Sequence, residues 1–275
     1  MKRSSVCIVR IVKVNETMRI TGFPWFVFLL AQTAMWSQGV PGGTEDANAE
    51  RLTHVIETAR SYDAHLPDFV CMQVTHRAQD KTRTGSHWKE YDNYEAEITY
   101  FRRQEACRLV KFKGKPSKRN CRQVPGYRSE GMFGALSSWI FLPDARTEFT
   151  FVRQEAIGSR TTRVYEYRVA QEHSHWQASF NARTVTYGFH GLVWADAATD
   201  SVVRIHAEPD SDPDTRTDVE YDFVTIAGQP FLLPVKAESR TSAGKILLRN
   251  TFEYSGFHKY AADASIEFGE TKPDR

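Results

Sequence analysis

The chain has 275 residues, 41% hydrophobic, 25% charged and 12% aromatic, values that exclude a disordered, collagenous or coiled-coil protein and any multi-span membrane protein. The net charge of +2 divides unevenly: residues 1–39 carry five bases and one acid, leaving 31 bases against 33 acids in the rest. A slightly acidic body of this size can bury its own core and lacks the electrostatic basis for wholesale nucleic-acid binding.

The run Phe23–Ala31 is uncharged and apolar, behind the positive flank of Arg19. It has the length of a signal-peptide core and is far shorter than the ~20 residues that span a bilayer. Residues 1–39 therefore read as a signal peptide, with the small residues Ser37 and Gly39 placed for cleavage after Gly39. A signal starting at Met18-Arg19 has ordinary length, so residues 1–17 read as a mis-assigned upstream start. No cysteine follows the apolar run where a lipidated thiol would stand, so a periplasmic or secreted product is expected, the alternative being a short membrane-anchoring helix. Residues 40–275 then form a single domain, since no linker rich in Gly, Pro or Ser divides them.

Leu52, Val55, Ile56 and Ala59 follow helical spacing behind the acidic start Glu45-Asp46, and Pro67 forbids continuation. Beyond it the chain becomes a series of short alternating runs: 70–75, 95–101, 108–112, 148–152, 163–169, 191–196, 201–206, 218–224, 231–234 and 247–254. β-Branched and aromatic residues occupy alternate positions and turn residues fill the joints. Strands follow strands without crossover helices, so an antiparallel meander is predicted.

One segment interrupts the meander. Met132, Phe133, Leu136 and Ile140 have helical spacing within 131–141, a stretch more apolar than a surface helix needs. It reads either as an ordinary core helix or as a lid over a cavity.

Export gives the cysteines a meaning they would lack in cytosol. Cys107 and Cys121 stand equally far from Gly114, so a hairpin turning at Gly114-Lys115 sets them opposite each other. The expectation is a disulfide, the alternative two separate buried thiols, and Cys71 is left as a buried apolar residue. That hairpin lies within the most basic stretch of the chain, residues 102–122, with nine bases and one acid. Arg108, Lys111, Lys113, Lys115, Lys118 and Arg119 read either as a contact surface for anionic lipid or an acidic partner, or as charges that protect a sheet edge.

No nucleophile elbow, zinc-protease helix, phosphate-binding loop, dinucleotide fingerprint or paired CxxC occurs in the sequence. No catalytic residue, metal ligand set or cofactor is therefore nominated. His173 and His175 have no evident third ligand, and Asp210, Asp212 and Asp214 depart from a calcium loop at Pro213, Thr215 and Tyr221.

The helix followed by Pro67–Arg77 and a long meander resembles the LolA/LolB-type outer-membrane lipoprotein carrier superfamily. Gly191–His206 is similar to that superfamily's strand, Asp-containing turn and strand, and Val219–Pro234 to its next strand pair ending in Leu-Pro. The resemblance implies a mainly β (α+β) fold, an incomplete antiparallel β-barrel with an N-terminal helix and a helix covering the concave face. It also implies a cavity for acyl chains. By alternation the candidate lining residues are Ile98, Tyr100, Val110, Phe112, Phe149, Phe151, Tyr165, Tyr167, Trp194, Tyr221 and Phe223, with Met132, Phe133, Leu136 and Ile140 from the cover. The expected function is carriage of a lipid or acylated polypeptide, with peripheral membrane contact. The alternative is an envelope interaction or sensor module with a solid core that docks an acidic protein partner through the basic hairpin.

Overall fold

The computed structural model describes residues 43–180 and 183–260. The signal-peptide reading of residues 1–39 lies outside the described residues, as do residues 40–42, 181–182 and 261–275 of the stretch expected to form a single domain.

Helix α1 (Gly43–His65) ends two residues before Pro67. Val55 and Ala59 are its buried contacts, with Leu52, Ile56 and Tyr62 partly buried at the same helical spacing. Four strands follow: β1 (Phe69–Asp80), β2 (Lys89–Phe101), β3 (Gln104–Phe112) and the two-residue β4 (Lys115–Pro116). A seven-residue helix, α2 (Ala135–Phe141), leads to β5 (Glu148–Ile157) and β6 (Arg160–Val169). A small hairpin of β7 (Gln177–Phe180) and β8 (Arg183–Thr186) precedes β9 (Phe189–Asp196) and β10 (Val202–Pro209). The chain closes with β11 (Arg216–Ile226), β12 (Gln229–Ala243) and β13 (Ile246–Lys259).

All but β7 and β8 join one antiparallel sheet in the order β4-β3-β2-β1-β13-β12-β11-β10-β9-β6-β5. Its edges, β4 and β5, do not pair, so the sheet stays open instead of closing into a barrel. This is the antiparallel meander that the alternating runs predict, in the incomplete-barrel form that the resemblance implies. Strands twist by about 20° per neighbour, which curls an 11-stranded sheet into a trough with one apolar face inside.

The topology explains the cover. Because β4 and β5 are the two edges and are consecutive strands, the chain between them must cross the open face. It does so as a 3-10 turn at Cys121–Gln123, then α2, then a second 3-10 turn at Pro143–Ala145. The predicted helix over 131–141 is shorter in fact. Gly131 takes a left-handed φ of 93° and Gly134 is the N-cap, so regular helix starts only at Ala135. Trp139, Ile140 and Phe141 pack into the main core, and the Arg60 Nε donates to the Phe141 carbonyl (2.6 Å), tying α1 to the end of α2.

The β3–β4 turn falls one residue earlier than expected. Lys113 and Gly114, both at left-handed φ, make the two-residue turn that suits strand twist. Cys107 and Cys121 are joined by a disulfide across it, and Cys71 is free and fully buried. Gly191 serves a close approach: a Cβ there would stand 1.9 Å from the His206 carbonyl oxygen, which also accepts the Tyr167 hydroxyl (3.0 Å). The β7–β8 hairpin has no counterpart in the predicted strands. It brings Trp176 and Ala178 onto the core at the β6–β9 end, with Trp176 5.3 Å from Phe189.

Candidate functional site

Alternation along β1 puts Phe69, Cys71, Gln73, Thr75 and Arg77 on the inner face. That face is apolar at one end and polar at the other. Arg77 lies opposite Asp92 of β2 and donates to it twice, from Nε (2.5 Å) and Nη2 (2.5 Å). Its Nη1 reaches the Pro125 carbonyl (2.7 Å) and the Tyr127 carbonyl (3.3 Å). Both side chains are almost fully buried, so this pair fastens the crossing segment to the sheet. The Tyr127 hydroxyl bonds Ser239 Oγ (2.5 Å), and Asn250 donates to the Tyr127 carbonyl (3.3 Å).

Two cavities lie under the cover. The first, about 250 Å³, sits between β1, β2, β3 and β13 and the crossing segment. Gln73, Tyr94, Ile98, Glu105 and Tyr254 line it from the sheet, and Arg128, Glu130, Met132 and Phe133 from above, with the disulfide on one wall. Glu105 accepts the Phe133 backbone N–H (3.1 Å). Burial pushes its carboxyl up to about 7, and the nearby Glu130 carboxylate adds to the rise, against the backbone hydrogen bonds from Phe133 and Gly131. The unfolded chain releases this proton near the ordinary 4.5 and the folded chain only near 7. Stability should therefore fall as pH rises through that window, by at most about 1.4 kcal/mol per unit, and level off above it. Urea denaturation across the window should show that slope, and Glu105→Gln should flatten it; an unchanged slope in the variant would assign it to other groups.

The second cavity, about 140 Å³, lies between α1 and strands β10–β12. Ala59 and Tyr62 of α1, Ser137 of α2, and Val202, Ile205, Tyr221, Phe231 and Leu232 of the sheet line it. Phe223 stands at it with half of its surface exposed (50%). Here the sheet is also split: the β12–β13 ladder ends at Lys236↔Glu253, so 229–235 pairs with β11 alone.

The lining residues expected by alternation fall into several places. Ile98, Met132 and Phe133 line the first cavity, and Tyr221 and Phe223 the second. Tyr100, Leu136, Ile140, Tyr165 and Tyr167 are buried in the main core, with Phe149 and Phe151 packed against it. Phe112 instead joins a second cluster with Tyr94, Leu109 and Val124. Val110 is the extra residue of a β-bulge, skipped where Glu95 and Ala96 pair with Lys111 and Leu109. Trp194 faces the other way: it clusters with Val164 and Val203 on the outer face, with the Arg204 guanidinium 4.8 Å over its ring. Among the lining residues not foreseen are Gln73, Glu105 and Tyr254 in the first cavity and Ala59, Tyr62, Ile205 and Leu232 in the second.

On the basic hairpin, Arg108 pairs with Glu97 (3.0 Å) and Lys111 with Glu95 (3.0 Å) across β2–β3. Lys113, Lys115, Lys118 and Arg119 are exposed and form no ion pair among the described residues. Among the described residues His175 forms an ion pair only with Asp144 (3.5 Å). The three aspartates diverge: Asp210 binds Arg168 and His190, Asp212 accepts from Thr215, and Asp214 pairs with Arg83. Among the described residues no group of three His, Cys, Asp or Glu is placed to hold a metal, and no helix is long and apolar enough to cross a membrane.

No family model and no curated protein matches the chain. Solved structures are similar to it in fold. One is a LolA superfamily protein from Nitrosomonas europaea, at 14% identity and a TM-score of 0.42, covering 76% of this chain and 93% of that one. Another is a DUF1329 family protein from Desulfovibrio piger, at 9% identity and a TM-score of 0.42, covering 78% of this chain and 95% of that one.

Proposed function

We propose that this chain is an exported binding or carrier protein for a lipid or a lipid-modified polypeptide, whose hydrophobic tail enters between α1 and strands β10–β12. The observation that carries the reading is the apolar cavity there, with Phe223 half-exposed beside it. A dry apolar cavity of ~150 Å³ takes up a molecule the size of benzene, so 140 Å³ admits the end of a tail. At about 0.8 kcal/mol per buried methylene, five methylenes supply about 4 kcal/mol, a millimolar affinity. Carriage of a whole acyl chain therefore requires the cover to separate from the sheet. Helix α1 suits this, because Val55 and Ala59 are its only fully buried apolar contacts among the described residues.

A fluorescent C18 fatty acid probe tests the reading. Titrated into the full chain, it should bind wild type and lose at least tenfold in affinity in Ala59→Trp, which fills the cavity from the helix side, while the far-ultraviolet dichroism stays unchanged. Equal binding by both proteins would place any tail elsewhere.

Lys113, Lys115, Lys118 and Arg119, exposed and without an ion pair among the described residues, favour a second reading for that edge, contact with anionic headgroups or an acidic partner. Reversing all four to Glu should abolish binding to vesicles containing anionic lipid and leave probe uptake intact. Retained vesicle binding would return these residues to edge protection.

A further inference from the structure

The 250 Å³ cavity beneath the crossing segment is unlike its apolar neighbour, because Glu105, Gln73 and Tyr254 bring hydrogen-bond acceptors into its sheet wall, opposite the Arg128 guanidinium and Ser129 hydroxyl of the cover. Gln73 is 8% exposed and spends one amide N–H on Thr75 Oγ1 (2.8 Å), and its carbonyl oxygen has no hydrogen-bond partner among the described residues. Tyr254 is 6% exposed, and its hydroxyl has no hydrogen-bond partner among the described residues. Glu105 accepts backbone N–H groups from the cover yet faces no cation. Of the two arginines in its walls, Arg122 lies mostly in solvent beside Glu130 (3.8 Å), and Arg128 donates through Nη1 to the Val124 carbonyl (2.5 Å).

A carboxylate inside a cavity without a counter-ion is costly. A ligand that brought the missing positive charge would lower that cost and satisfy the orphan acceptors together. Aromatic faces add to the attraction of a desolvated cation, and the rings of Tyr94, Phe133 and Tyr254 stand in the same walls, Phe133 and Tyr254 with centroids 4.6 Å apart.

We propose that this cavity is a ligand site for an organic cation, a primary ammonium group held by the Glu105 carboxylate, the Gln73 carbonyl and the Tyr254 hydroxyl. The site does not depend on the tail-binding reading, since it shares no lining residue with the cavity under α1. The titratable and charged groups that surround it are Cys71 of β1, Tyr94 of β2, Arg122, Arg128 and Glu130 of the cover, and Tyr254 of β13. Burial raises Cys71, Tyr94 and Tyr254 further above neutrality, so Glu105 supplies the charge change near pH 7.

Butylammonium, butanol and butyrate, equal in chain length and different in charge, separate the alternatives when titrated by NMR into the full chain. Butylammonium should bind at least tenfold more tightly than either of the others and shift the Phe133 amide resonance. Between about pH 6 and about pH 8 its affinity should rise about tenfold as Glu105 ionises, while that of butanol stays level. Glu105→Gln keeps an acceptor for the Phe133 N–H and should erase both the preference and the pH dependence. Should that variant fail to fold, the wild-type pH series decides alone. Equal affinity for the three probes, tighter binding of butyrate, no binding at all, or a preference that survives Glu105→Gln would each overturn the proposal.

Discussion

Replacing Arg77 with Ala is expected to lower stability by about 3–5 kcal/mol, because it strands the buried Asp92 carboxylate without its partner. The loss extends beyond the pair. Arg77 also donates to the Pro125 and Tyr127 carbonyls, so the variant releases the crossing segment from the sheet at the place where that segment turns inward. Hydrogen exchange should therefore quicken across 125–133 well before it does in β1. An Arg77→Met/Asp92→Leu double variant separates the two effects. Exchanging a buried ion pair for apolar side chains is often neutral or stabilising, so most of the stability should return while the crossing segment stays loose. A double variant as unstable as Arg77→Ala would mean that the backbone contacts, not the stranded charge, dominate the cost.

Loss of the Cys107–Cys121 disulfide has the next largest expected effect. The bridge closes a loop with a sequence separation of 14, for which chain entropy gives about 3 kcal/mol. Cys107→Ala/Cys121→Ala should lower the denaturation midpoint accordingly. It should also disturb the first cavity more than the second, since the disulfide walls only the first. β4 is two residues long and pairs through Lys111↔Pro116 and Phe112↔Lys115, too little to hold this edge unaided. A variant with wild-type stability would show that the Arg77 fastening suffices.

Much of the architecture was legible because alternation is a strong signal on a sheet with one buried face. Helix α1 could be read from Leu52 to Ala59 and its end from Pro67. The disulfide followed from the symmetry of Cys107 and Cys121 about Gly114, although the turn settled one residue earlier, where Lys113 and Gly114 take positive φ. Phase was harder where apolar residues occupy both faces. In Leu192-Val193-Trp194-Ala195, Val193 and Ala195 turn inward and Trp194 outward to Val164 and Val203, a choice that hydrophobicity alone does not make. The β7–β8 hairpin escaped because its strands are four residues long and mostly polar, held by Trp176 packing on Phe189. The cavity acceptors and the Arg77–Asp92 pair were hidden for the opposite reason: polar residues at inward positions look like surface in a sequence. Their phase with Phe69 and Cys71, or with Ile98 and Tyr100, was the available clue.

The split of the inner face into one apolar and one polar cavity follows from these placements. The polar one lies under the segment that crosses from edge to edge and the apolar one under α1, so carriage of a whole acyl chain, as proposed, requires α1 or that crossing to move. Native mass spectrometry of the full chain, expressed with its own N-terminal residues and purified from the cell envelope, tests carriage most directly. The account predicts species heavier than the polypeptide by the mass of one lipid or acyl chain, lost in Ala59→Trp. A preparation holding only bare polypeptide, with no lipid in its organic extract, would contradict it.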